Sequence, residues 1–71
     1  MKISYDSEAD ALYIQFQPGK VKKSLEIREG IVLDIADDGT LFGLEILDAT
    51  RRMPASELTH LDANLPLRKA S

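Results

Sequence analysis

From Lys2 to Leu47 the apolar side chains fall at alternate positions, in short runs broken by segments that contain Gly or Pro. Alternation with a period of two belongs to strands that bury one face and solvate the other. It predicts five strands, at about Lys2 to Tyr5, Leu12 to Phe16, Val21 to Ile27, Ile31 to Ala36 and Leu41 to Leu47. No two successive runs are separated by the dozen or more residues of a parallel crossover. The expected sheet is therefore an antiparallel meander of four or five strands.

Each turn implies a register, and a slip of one residue would send a strand's apolar set to the wrong face. A turn centred on Asp38 and Gly39 sets Ile35 opposite Phe42, Leu33 opposite Leu44 and Ile31 opposite Ile46. A loop of Arg28, Glu29 and Gly30, with Gly30 at the positive φ of a hairpin bulge, sets Ile27 opposite Ile31 and Leu25 opposite Leu33. The same logic across Gln17 to Lys20 sets Phe16 opposite Val21 and Leu12 opposite Leu25, and the first hairpin sets Tyr5 and Ile3 opposite Leu12 and Ile14. All four turns gather the large apolar residues on a single face.

After Asp48 the alternation stops. Met53, Leu58 and Leu61 recur at helix-like spacing, Ser56 or Asp48 is suited to cap a helix, and Pro54 and Pro66 bound it. The fold class expected is α+β with β dominant, in a single domain over 1–71. Its sheet covers about 2–47, a short C-terminal helical tail about 48–65, and a frayed end 66–71.

At 71 residues the chain has room for one small core, and with no cysteine it has no disulfide or thiolate metal site to reinforce it. Packing and association are left as sources of stability. No apolar stretch approaches the roughly 20 residues of a bilayer span, and the N-terminus lacks the pattern of a secretory signal, so the cytoplasm is the expected location. A net charge of −3 opposes binding to phosphate backbones, so no nucleic-acid partner is expected.

The stretches YDSEADALYIQF and GIVLDIADDGTLFGLEILDAT resemble a small prokaryotic family, domain of unknown function 2283, over roughly residues 3–52. The elements that match are Tyr5, Asp6, Asp10, Leu12 and Tyr13, then Gly30, Asp38 and Gly39, then Gly43, Glu45, Ile46, Leu47, Asp48 and Ala49. The resemblance implies a fold and brings no catalytic residues with it. Some members resemble the antitoxin-like neighbours of small toxins, which would make a small protein the partner.

Two carboxylate sets are candidate sites. Asp6, Glu8 and Asp10 occupy the first three ligand positions of an EF-hand calcium loop, but the sixth and twelfth are Ala11 and Gln17, so the turning glycine and the bidentate ligand are both absent. A cap is the better reading, with Asp6 accepting hydrogen bonds from the turn Ser7 to Asp10. Asp34 and Glu45 fall on the polar face, near enough to share a proton or a cation, with no His, Ser or Lys evidently beside them. His60, the one histidine, lies in the tail without partners for a triad or a metal. Lys20, Lys22 and Lys23 suit protection of a sheet edge better than phosphate binding. No cofactor is expected.

Three function classes follow: a non-catalytic interaction or regulatory module, a small acidic metal protein or enzyme, and a purely structural homo-oligomer. Area favours association. Five strands present a face of about 400 to 500 Å² in projection, while a helix of about eight residues covers about 120 Å². A homodimer is expected, unless the sheet curls into a half-barrel through bulges near Gly30 or Gly43.

Overall fold

The structure is a computed structural model that describes residues 1–54, 56 and 57. It is β-dominant, as the alternation requires. The strands are β1 (Lys2–Asp6), β2 (Ala11–Gln15), β3 (Val21–Arg28), β4 (Ile31–Ala36) and β5 (Leu41–Leu47), followed by one helical turn, α1 (Ala49–Arg52). All five strands form one antiparallel sheet, in the order β1-β2-β5-β4-β3.

That order corrects the meander at one junction. β2 pairs with β5, not with β3, so Leu12 faces Ile46 and Ile14 faces Leu44, and the pairs Leu12 with Leu25 and Phe16 with Val21 do not form. Parity cannot distinguish the two partners, because either gives Leu12 and Ile14 an apolar neighbour on the same face. The connection 16–20 crosses the end of the sheet to reach β3. Three strand spacings are about 14 Å, and six extended steps of chain cover about 20 Å. The crossing is held by Phe16 N–H donating to Phe42 O at 2.8 Å, and by Gln17 Nε2 donating to Thr40 Oγ1 at 2.8 Å and Leu41 O at 2.6 Å.

The other three registers match the expected pairs over most of their length. Ile3 faces Ile14, Tyr5 faces Leu12, Leu25 faces Leu33, Leu33 faces Leu44 and Ile31 faces Ile46. Bulges account for the departures. Ile35 pairs with Leu41 instead of Phe42, and Ile31 pairs with Arg28 instead of Ile27. Gly30 has φ of 82°, the left-handed conformation its turn was expected to need, and Gly39 adopts the same conformation at 87°.

α1 is a single turn that begins directly after Asp48, one of the two cap positions expected. Asp48 holds its N-cap position at φ 54°, but the side chain makes no capping bond. Of the longer helix expected between Pro54 and Pro66, Ser56 and Glu57 are described and are helical, with Glu57 N–H donating to Pro54 O at 3.0 Å, while Leu58, His60 and Leu61 lie outside the described residues, as does the end 66–71. Among the described residues no helix is long and apolar enough to cross a membrane.

Candidate functional site

The acidic opening serves two caps. Asp6 Oδ1 accepts the N–H groups of Glu8 at 3.0 Å and Ala9 at 3.3 Å, which stabilises its own turn as expected. Asp10 does something the sequence did not suggest. Its carbonyl accepts Ala49 N–H at 3.0 Å, and its carboxylate accepts Thr50 N–H at 3.1 Å and Thr50 Oγ1–H at 2.8 Å. These are free donors of the first turn of α1, so Asp10 caps that turn from forty residues away while Asp48 does not. Tyr5 Oη also donates to Asp10 Oδ1, at 2.7 Å. The Tyr5 and Thr50 donors hold the Asp10 carboxyl below the usual carboxylate range, and the same bond raises the Tyr5 phenol. Among the described residues no three acidic, His or Cys side chains are grouped to hold a metal ion.

Asp34 lies in a polar row across four strands. Tyr13 on β2 extends over Gly43 of β5 and donates to Asp34 Oδ2 on β4 at 2.6 Å, and Ser24 on β3 donates to Asp34 Oδ1 at 2.5 Å. The phenol occupies the space a side chain at position 43 would fill. A Cβ on Gly43 would strike the Tyr13 hydroxyl and lie 2.5 Å from Tyr13 Cζ. Glycine inside a strand marks such a close approach. Burial, then the bond to Asp34 and the charges of Asp34 and Glu45, push the Tyr13 phenol up to about 12. At neutral pH only about one molecule in 10⁵ would carry the phenolate. Glu45 sits opposite Tyr13 and Val32 and contributes charge rather than a bond to Asp34. The hydroxyl beside Asp34 that sequence reading missed is Ser24, found by the register that pairs the two residues.

Arg52 joins α1 to the β3–β4 hairpin. Its Nε donates to Leu47 O at 2.7 Å and its Nη2 to Glu29 O at 2.6 Å, with the guanidinium against Gly30 where a Cβ would otherwise point. At the other end of the sheet, Gln17, Pro18, Lys20, Asp37 and Asp38 line an open cleft of about 240 Å³, smaller than the roughly 300 to 1,000 Å³ of ordinary ligand pockets.

The largest feature is the apolar face. Register places Ile14, Leu33 and Leu44 at its centre and Ile3 on the edge strand β1, all half-buried, with Tyr5, Leu25 and Ile27 at its margins, where they are 38%, 45% and 55% exposed. Bulges are present near Gly30 and Gly43, where the curled alternative places them, yet they do not bury these margins. All eight residues of β3, which forms one sheet edge, are exposed.

Residues 2–49 match the sequence model of a family described as a protein of unknown function (DUF2283). Over 51 residues the chain is 37% identical to a Methanosarcina mazei protein named "Putative hypoxanthine phosphoribosyltransferase", a match covering 72% of this chain and 41% of that protein. An uncharacterized protein of Methanocaldococcus jannaschii is also 37% identical over 51 residues, covering 72% of this chain and 43% of its own length. The matched stretch thus spans about two fifths of either relative. No solved structure matches the chain.

Proposed function

The chain belongs to the DUF2283 family of proteins of unknown function, and we propose that it is a non-catalytic protein–protein interaction module of the cytoplasm that works as a homodimer. One observation carries this reading. Among the described residues the buried apolar set is Leu12, Ala36, Phe42 and Ala49, two of them alanines. Ordering each residue of a chain costs about 1 to 2 kcal/mol, and four buried residues recover little of that for a whole sheet. A second copy that binds only the folded state supplies the missing burial by mass action.

The polar face supports the non-catalytic half of the reading. Each Asp34 oxygen already accepts a short hydrogen bond, and the Tyr13 proton is held well above neutral pH. A general acid or base works best with a pKa near the operating pH. The transferase activity in one relative's name belongs to a protein of which the match covers 41%. Sedimentation equilibrium at micromolar concentration tests the association. The reading expects twice the chain mass of 7.9 kDa; a single-chain mass at every concentration overturns it.

A further inference from the structure

We propose that the second copy docks on the apolar face, sheet against sheet, with the two-fold axis passing near Leu33 and Leu44; the inference rests on the homodimer reading and assigns its surface. Three surfaces compete for the partner, and their chemistry separates them. On the polar face the central side chains are spent on one another, through Tyr13, Asp34 and Ser24. The β3 edge is interrupted by bulges between Val21 and Lys23 and between Glu26 and Arg28, and it carries Lys22 and Lys23. Bulges and lysines are the features by which sheet edges resist pairing. The centre of the apolar face, on β2, β5 and β4, carries Ile14, Leu44 and Leu33 and no lysine.

Area and charge then point to a second copy as the occupant. Five strands at about 4.8 Å spacing and about 20 Å long make a face of about 480 Å² in projection, so stacking two buries roughly 1,000 Å² or more, the size at which specific interfaces begin. Among the described residues α1 is a single turn about 6 Å long, too short to cover that face. By register the charged side chains of the face are Lys23, opposite Ile35, and Arg28, opposite Ile31, both at the β3 margin. Each chain carries a net charge of −3, but Asp34, Glu45 and Glu26 lie on the opposite face, so stacking brings no carboxylates together. With its charges confined to the β3 margin, the apolar centre gives a charged heterologous partner little to recognise, whereas it complements itself. Sheets that stack in this way lie about 10 Å apart, within about 30° of alignment.

The chain has no cysteine, so single cysteines can report the contact without disturbing it. In Leu33→Cys, a bis-maleimide of about 10 Å span should join two chains, because residues near the axis face their own copies across one sheet spacing. Ser4→Cys on the polar face and Lys22→Cys on the β3 edge should stay unjoined. Independently, Leu25→Lys, at a position already 45% exposed in the single chain, should raise the dimer dissociation constant at least about 100-fold, while Ser4→Lys should not change it. Joining through Ser4→Cys or Lys22→Cys but not Leu33→Cys, or no effect of Leu25→Lys on a wild-type dimer, overturns the surface and leaves the homodimer standing. A wild-type chain that sediments as a monomer overturns the homodimer itself.

Discussion

The hydroxyl of Tyr13 on β2 donates to the carboxylate of Asp34 on β4 at 2.6 Å, across an intervening strand that carries glycine at position 43. This bond links β2 to the β4–β5 pair and accompanies the strand order that departs from a meander. The neutral phenol is the form the fold favours, since its pKa is pushed up from an ordinary value of 10.0 to about 12. The stabilisation is therefore complete below about pH 10 and is lost as pH rises through 12. Tyr13→Phe should cost about 1 kcal/mol near neutral pH, a value reduced for partial exposure, and should flatten the stability profile between pH 10 and 12. Urea melts at intervals across that range read both effects. An unchanged profile would mean the bond does not hold the sheet.

Gly43→Ala should destabilise the sheet by roughly 1 to 3 kcal/mol, the range for overpacking, because the new Cβ strikes the Tyr13 ring and lies 3.0 Å from Ile14 O. Combined with Tyr13→Ala it should cost less than the sum of the two single changes, since the clash is with the ring. Gly30→Val combines positive φ with a Cβ aimed at the Arg52 guanidinium, and should cost roughly 1 kcal/mol or more. Equilibrium unfolding of the four variants measures each; additive losses at Tyr13 and Gly43 would contradict the ring contact.

Much of this architecture could be read from the sequence. The β1–β2, β3–β4 and β4–β5 pairs join neighbouring runs through short turns, where parity, with a turn glycine at Gly30 and Gly39 in the last two, leaves one register. The β2–β5 pair could not be found that way, because Leu12 and Ile14 fit Leu25 or Ile46 and Leu44 equally well by parity. Gly43 inside an alternating run was the available signal that another strand's side chain approaches there. The capping role of Asp6 is local and was legible. That of Asp10 was not, because its partner Thr50 is forty positions away.

Asp10→Ala should release α1. Amide exchange at Ala49 to Arg52 should accelerate, as two of its free donors lose their acceptor while the backbone bond from Ala49 N–H to Asp10 O is left alone. Because the Asp10 pKa is lowered by folding, its contribution is present above the ordinary carboxylate range and is lost as pH falls through the depressed value. Asp48→Gly should instead be neutral or stabilising, since the Asp48 side chain caps nothing and its φ of 54° suits glycine. Faster exchange of α1 in Asp48→Gly than in Asp10→Ala would reverse the assignment of the cap.

Calcium, magnesium or manganese at millimolar concentration should leave the melting temperature nearly unchanged. A ligand at 100 times its dissociation constant would add about 2.7 kcal/mol, an effect too large to miss. Asp6 and Asp10 are engaged by backbone and hydroxyl donors, and Asp34 by Tyr13 and Ser24. An upward shift abolished by Asp6→Asn with Asp10→Asn would place a metal in the opening turn, and one abolished by Asp34→Asn with Glu45→Gln would place it on the polar face.

The central claim is that burial missing from one chain is supplied by another, and the dependence of unfolding on protein concentration tests it most directly. For two chains that fold as they associate, each tenfold rise in concentration adds about 1.4 kcal/mol to the stability of the dimer. With an unfolding entropy of about 2.1 cal/mol/K per residue over two chains, the thermal midpoint should climb roughly 5 °C per decade. Melting curves from 1 to 100 µM are predicted to show that climb, whereas a midpoint that stays fixed across the range would contradict the claim.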